Sequence, residues 1–365
     1  MTLRYAILLF ALLALIAGWS AFWKFAAGKA ETAIDGWRAR EAKAGRVYSC
    51  GSQTVGGYPF RIEVNCDQAS ALFRSNQPPV EVKTDSLIVA AQVYEPGLLI
   101  SEFHGPLTAG EPGKSPDIVA DWKLGQSSVR GTPAAPERVS LVFDQPAVDR
   151  MDGTARQNLF RATHVEIHGR IAEGSASNKP VIEVALQLNH ATAPTLHPAT
   201  VQPIDADITA KLRGLNDFSP KPWPARFREM QAADGRIDIT KARVQQGDIL
   251  AMGDGTLSIN ANGRLEGELR VTLAGLDQLL AVLGVQQRVQ ASSSMDKLVG
   301  ALDRLAPGLG DVARQHAGAN ISLGINLLGE QTTVEGKRAV MLPLRFTDGS
   351  AFLGPFPIGN VPALF

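Results

Sequence analysis

The sequence predicts a mainly β protein in which an N-terminal transmembrane helix is followed by a large antiparallel β-sheet domain with a small helical insertion. Three observations carry that prediction. Residues Tyr5 to Trp23 contain no charged side chain. From Tyr58 onward, apolar and polar residues alternate with a period of two in many separate segments. Between two of those segments, leucines recur at helical spacing: Leu276, Leu279, Leu280 and Leu283, then Leu298, Leu302 and Leu305, with Pro307-Gly308 as the stop.

The first element is the helix. The uncharged stretch, Tyr5–Trp23, is long enough as a helix to reach about 28 Å, close to the hydrocarbon thickness of a bilayer. Arg4 lies at one end, and Trp19, Phe22, Trp23 and Phe25 cluster at the other as an interfacial aromatic belt would. The rival reading is a cleaved signal peptide, whose apolar core is shorter and ends in small residues. Phe25-Ala26-Ala27-Gly28 leaves room for such cleavage, but the bulky exit favours a retained anchor with its N-terminus in the cytoplasm. Lys24, Lys29, Arg38, Arg40 and Lys43 follow the span, only partly offset by Glu31, Asp35 and Glu41, so charge bias does not settle the orientation. Beyond the span, Ala30, Ile34 and Trp37 share one helical face, which predicts a juxtamembrane helix lying against the membrane or the domain.

The two cysteines, Cys50 and Cys66, flank a segment that reads as a strand, and neither sits in a CxxC. A disulfide closing this loop is expected, contributing on the order of 3 kcal/mol by the chain-entropy model; two separate buried thiols are the alternative. A disulfide requires an oxidising compartment, which after a membrane anchor means the periplasm.

The strands come next. Phe60–Cys66 alternates strictly, as do Ile118–Leu124, Val139–Phe143, Val165–Ile171, Ile182–Leu188, Ile204–Leu212, Leu265–Leu273, Ile321–Leu327 and Val340–Phe346. Each places an apolar row on one face and polar residues on the other, the pattern of antiparallel sheets with one wet face. Asn262-Gly263 and Asp348-Gly349 are hairpin signals, and Glu111–Pro116, Gly131–Glu137 and Gly174–Pro180 read as surface loops. Phe218-Ser219-Pro220-Lys221-Pro222-Trp223-Pro224 reads as a rigid linker or an extended docking segment and marks an internal boundary. The expected organisation is an anchor at 1–25, a juxtamembrane helix at 26–45, an N-terminal β region at 46–220, and a C-terminal β region at 221–365 with the helical insertion at 276–317.

Composition narrows the function. Lys plus Arg and Asp plus Glu are 36 each, so there is no basic excess to neutralise phosphates, and nucleic acid is not an expected partner. No phosphate-binding loop, dinucleotide fingerprint, HExxH or GxSxG is present. His164, Glu166 and His168 share a strand face and are the best metal-ligand candidates. Side chains two apart on a strand lie roughly 7 Å apart, however, so a solvated face is the preferred reading. Asp205 and Asp207 with Lys211 read as surface patterning. No enzyme, cofactor or metal is expected.

Two stretches carry a resemblance. Gly57-Tyr58-Pro59-Phe60-Arg61-Ile62-Glu63-Val64, framed by Cys50 and Cys66, resembles an uncharacterised family of membrane-anchored envelope proteins of alphaproteobacteria. Asp348–Ile358 is similar to that family's C-terminal ending. The plan of one anchor and a long amphipathic β domain also distantly resembles the AsmA-like class. That likeness implies a curved or groove-like sheet serving lipid transport or outer-membrane assembly. The family pattern supplies no catalytic residues; Gly57, Tyr58, Pro59, Phe60 and Arg61 read as a structural motif, Gly56-Gly57 permitting a tight entry, Pro59 sitting at a strand start and Phe60 opening the apolar row. The expected function is a periplasmic β protein, single-pass in the inner membrane, that binds lipid or another hydrophobic ligand in cell-envelope maintenance. The alternative is a non-enzymatic envelope scaffold with a closed, packed core. Ile204, Ile208 and Leu212, with Leu265, Leu269 and Val271, are the rows expected to line a ligand-accessible surface.

Overall fold

A computed structural model describes residues 2–132, 135–153, 155–218, 221–282, 329–354 and 356–365. The chain divides into two compact units, Met1–Val165 and Glu166–Phe365. Both are built mainly from antiparallel strands, as the alternation predicts.

In the N-terminal unit, α1 (Thr2–Lys43) is one unbroken helix. The expected anchor and juxtamembrane helix are therefore a single rod, because Phe25–Lys29 contains no breaker stronger than Gly28, which stands in open space. Gly45, at φ +82, follows the helix in the left-handed conformation common just past a C-terminus. The early side chains of α1 pack on nothing, Phe10 being 76% exposed. This part is long and apolar enough to cross a membrane, as an anchor or as a signal sequence. Farther along, Ala27 is buried and Ala30, Ile34 and Trp37 are half-buried, so the apolar stripe faces the sheet. Trp37 stacks on Tyr48 with ring centroids 4.7 Å apart.

The strands of this unit are β1 (Arg46–Ser49), β2 (Ser52–Gly56), β3 (Arg61–Phe73), β4 (Val80–Gln92), β5 (Glu95–Gly110), β6 (Ile118–Asp121), β7 (Leu124–Thr132), β8 (Ala135–Asp144), β9 (Ala147–Asp152) and β10 (Ala155–Arg161). β1 and β2 pair with one side of β3 and β4 with the other, followed by β5, β7 and β8. The alternation criterion misses β4 and β5, because Leu87-Ile88-Val89-Ala90-Ala91 and Leu98-Leu99-Ile100 are continuous apolar runs. Ile118–Leu124 is two strands rather than the expected one. The chain breaks at Trp122, between β6 on Leu107–Ala109 and β7 on Leu98–Phe103 of β5, and the Trp122 indole donates to the Phe103 carbonyl at 2.8 Å.

The C-terminal unit contains most of β11 (His164–Ser175), then β12 (Asn178–Ala191), β13 (Ile204–Leu212), α2 (Trp223–Ala232), β14 (Arg236–Gln246), β15 (Ile249–Ile259), β16 (Leu265–Ala274), α3 (Leu276–Val282), β17 (Glu330–Val334), β18 (Lys337–Thr347), β19 (Ser350–Leu353) and β20 (Phe356–Asn360). β12 to β16 pair in sequence, and β18 continues from β16. Leu269, Val271 and Leu273 on β16 face Leu344, Leu342 and Val340 on β18, while β15 offers Gly253 and Gly255 opposite Val271 and Leu269. A Cβ on Gly255 would lie 2.8 Å from the Leu269 Cα, so glycine is what lets these residues close up. Leu269 and Val271 therefore sit in a packed core with Leu257, Leu276, Val340, Leu342 and Leu353, which corrects their expected place in a ligand-lining row. Asp348 and Gly349 both take positive φ in the β18–β19 turn, as a two-residue hairpin demands.

Of the expected insertion at 276–317, α3 is found; Leu298–Gly308 and the strand expected at Ile321–Leu327 lie outside the described residues. The proline-rich segment is also different from the expectation. Pro222 caps α2, and Trp223 and Pro224 form its first turn, where a missing N–H costs nothing. The division expected near residue 220 falls inside the C-terminal unit. There the buried Arg226 guanidinium donates to the Asp217 carboxylate at 3.0 Å and to Glu229 at 3.1 Å, and Lys221 reaches Asp217 at 2.6 Å.

Leu269→Asp should unfold the C-terminal unit, since an unpaired buried charge costs about 3–5 kcal/mol; a thermal transition within error of wild type would contradict the packed core. Burial raises the Glu229 carboxyl, but the Asn216 N–H, Lys221 and Arg226 outweigh it and hold the group below its ordinary value of 4.5. Its contribution is thus complete above pH 4.5 and lost as pH falls below that through the depressed folded value. Thermal unfolding of Glu229→Gln should show a shallower acid loss than wild type, with parallel curves as the contrary result.

Candidate membrane-proximal site

The turn from β2 into β3 meets the helix. Gly57 turns the chain at φ +95, where a Cβ would come within 2.7 Å of the Arg61 carbonyl oxygen. The Arg61 N–H closes the turn onto the Gly57 carbonyl at 3.1 Å. Two indoles of α1 then donate into it: Trp19 Nε1 to the Pro59 carbonyl and Trp23 Nε1 to the Arg61 carbonyl, each at 2.8 Å. Ser20 Oγ donates back to the Ile16 carbonyl at 2.8 Å, so in its 2.8 Å contact with Tyr58 the phenol is the donor. Tyr58 also sits edge-on to Trp23 at 5.6 Å, and Phe60 lies 6.4 Å from Trp19. The expected motif residues Gly57, Tyr58, Pro59, Phe60 and Arg61 are thereby brought together with the aromatic end of the apolar stretch.

Behind the turn, Cys50 and Cys66 are joined by a disulfide with Cα atoms 5.4 Å apart. It ties the β1–β2 corner to β3. Arg38 of α1 reaches this corner, donating to Gln53 Oε1 at 2.7 Å and lying 3.1 Å from Cys50 Sγ. Burial and the nearby Glu41 carboxylate push the Tyr48 phenol above its ordinary value.

From the turn, an apolar face runs across five strands. Residues directly opposite one another share a face, and the registers align three rows: Ile62, Ala91, Leu99, Val129 and Val139; Val64, Val89, Ser101, Ser127 and Leu141; Cys66, Leu87, Phe103, Gly125 and Phe143. None is charged. Apart from Cys66 and Gly125, all are only half-buried. Trp122 closes the last row, packing edge-on to Phe143 at 5.3 Å over Gly125, where a Cβ would strike the indole. Sequence reasoning identified the β3 and β8 parts of this face and missed its centre on β4, β5 and β7. The alternating Val80-Glu81-Val82-Lys83-Thr84 was the available signal for β4.

The polar candidates do not converge. His164 Nδ1 meets Asp144 at 2.6 Å, whereas His168 meets Glu166 at 2.8 Å. Asp207 pairs with Lys241 rather than Lys211, and Asp205 accepts from the His190 backbone N–H at 2.7 Å. An open surface recess in the C-terminal unit is lined by His190, Asp205, Gln246, Asp248 and Gln278 together with Pro203 and Ile249.

The family model described as an uncharacterized protein conserved in bacteria (DUF2125) matches residues 23–362. The chain belongs to the DUF2125 family. No curated protein matches it. The DUF2125 match takes in Trp23, the disulfide, the Gly57–Arg61 turn and both β units, and so bears out the resemblance to an uncharacterised bacterial family.

Gly57→Ala should cost about 1–3 kcal/mol through left-handed strain and the clash with Arg61, while Gly56→Ala, with nothing near its Cβ, should be nearly silent. Equal denaturation midpoints for the two variants would refute the turn geometry.

Proposed function

We propose that this DUF2125 protein is held in the inner membrane by α1, with its β units in the periplasm, and that the apolar face of the N-terminal unit takes up lipid or another hydrophobic ligand in envelope maintenance. One observation carries this reading: fifteen aligned positions without a charge, most of them half-exposed. Among the described residues, all three buried hydrophobic clusters lie in the C-terminal unit. Each Leu, Ile, Val or Phe on the face of the N-terminal unit forgoes part of the roughly 1.5–3 kcal/mol that full burial would give. A face of that kind on a soluble surface is a binding site or a liability.

Support for a retained anchor comes from Trp19, Ser20 and Trp23. Cleavage after Ala27 would remove their bonds to Pro59, Tyr58 and Arg61. The disulfide supports an oxidising compartment. The distant AsmA-like resemblance agrees with lipid as the ligand class. No catalytic role is assigned: the histidines face separate carboxylates instead of meeting at one point. The second reading, a scaffold, is favoured for the C-terminal unit by its packed clusters.

The test is Val89→Asn with Leu141→Asn in full-length protein, both in the middle row. In a half-open face the variant should keep the wild-type thermal transition while losing phospholipid from the detergent-purified protein, read by mass spectrometry. Wild type carrying no more lipid than the variant, or a variant that unfolds as Leu269→Asp does, would leave the scaffold reading in its place.

A further inference from the structure

We infer that two turns of the N-terminal unit, Tyr58–Phe60 and the β4–β5 turn at Tyr94, dip into the bilayer beside the anchor and form a second membrane contact. Tyr58, Phe60 and Tyr94 are 51%, 65% and 71% exposed, large aromatic side chains held outward at turn positions where polar residues are the rule. The two turns are bonded together, the Val93 N–H donating to the Phe60 carbonyl at 3.0 Å.

Their depth is set by the helix. Phe60 lies at the level of Trp19, five residues before Lys24, the first charge after Arg4. At helical rise that is about 7.5 Å inside the apolar stretch. The turn's backbone is suited to a place poor in water, where an unsatisfied carbonyl is costly. The Gly57 carbonyl accepts from the Arg61 N–H, Pro59 from Trp19, Phe60 from Val93 and Arg61 from Trp23, and Pro59 has no N–H to satisfy. Behind the rim, Arg61 pairs with Glu63 at 2.8 Å and Arg130 with Glu95 at 2.9 Å, which suits the headgroup layer. Tyr and Trp are the residues that favour this boundary. The inference rests on α1 being a membrane anchor and is independent of any ligand on the apolar face. The occupant is bilayer phospholipid.

The experiment places photoreactive p-benzoylphenylalanine at Phe60, Tyr94, Phe10 or Lys114 in full-length protein. Each protein is reconstituted into vesicles of phosphatidylethanolamine and phosphatidylglycerol, and phospholipid adducts are counted by mass. Phe10 lies within the apolar stretch; Lys114 lies past the far end of β5 from Tyr94. Adducts at Phe60 and Tyr94 as frequent as at Phe10, and absent at Lys114, are expected. Labelling at Phe10 without Phe60 and Tyr94 overturns the second contact and leaves the anchor standing. Labelling at Phe60 alone rejects the two-turn rim, equal labelling at Lys114 rejects any positional contact, and no labelling at Phe10 removes the anchor reading as well.

Discussion

An indole N–H near the end of an apolar helix has nowhere local to go, because the helix's own carbonyls are taken by its ladder. In the N-terminal unit Trp19 and Trp23 resolve this by donating to Pro59 and Arg61, two carbonyls of a turn about forty residues away in the chain. Residues 19 and 23 lie one turn apart on one helix face, while residue 59 is in the turn and residue 61 opens β3. Two donors on one helix face thereby address two carbonyls at the point where the turn passes into the strand. β3 starts at Arg61, and the registers of β2, β4 and β5 are set from β3 or its neighbour. The position of the apolar rows along α1 therefore follows from where the indoles bond.

The two units use their apolar residues differently. In the C-terminal unit, β15 glycines let β16 and β18 side chains close into a buried cluster with α3 and β19. In the N-terminal unit the rows are half-buried, and cohesion comes from other sources: long hairpins, the Cys50–Cys66 bond, the Arg38 contacts to its corner and the Trp37–Tyr48 stack. These act at the edge and corner of the sheet and leave the middle of its apolar face accessible.

Buried charge is confined to well-compensated places. Arg226 is buried yet meets Asp217 and Glu229, and the same two carboxylates hold Lys221. This cluster turns the proline-rich segment into the start of a helix. Removing Arg226 would strip the buried Glu229 carboxylate of one of its two cations, and breaking a buried charge network is costlier than never having buried it.

Much of the architecture was legible because it depends on local pattern. The uncharged stretch from Tyr5 to Trp23 reads as a membrane-length helix or a signal sequence, and period-two alternation at Phe60–Cys66, Ile204–Leu212 or Leu265–Leu273 reads as a strand with one buried face. The Asp348-Gly349 turn follows from the positive φ it needs. Alternation is lost in the middle of β4 and β5, since Leu87–Ala91 is apolar on both faces, and only the start of β4 at Val80–Thr84 carries it. Local pattern could not distinguish which apolar rows are packed, because the same-face row of Leu269 (Leu265, Gly267, Val271, Leu273) and that of Val89 (Leu87, Ala91) are both free of charge. Only the tertiary structure assigns Leu269 to a core, through partners on β18 brought in from seventy residues away, and leaves Val89 half-open. The same holds for the Gly57–Arg61 turn: its sequence shows a tight strand entry, while its contact with Trp19 and Trp23 depends on a helix and a strand meeting across a long separation, which short-range pattern does not encode.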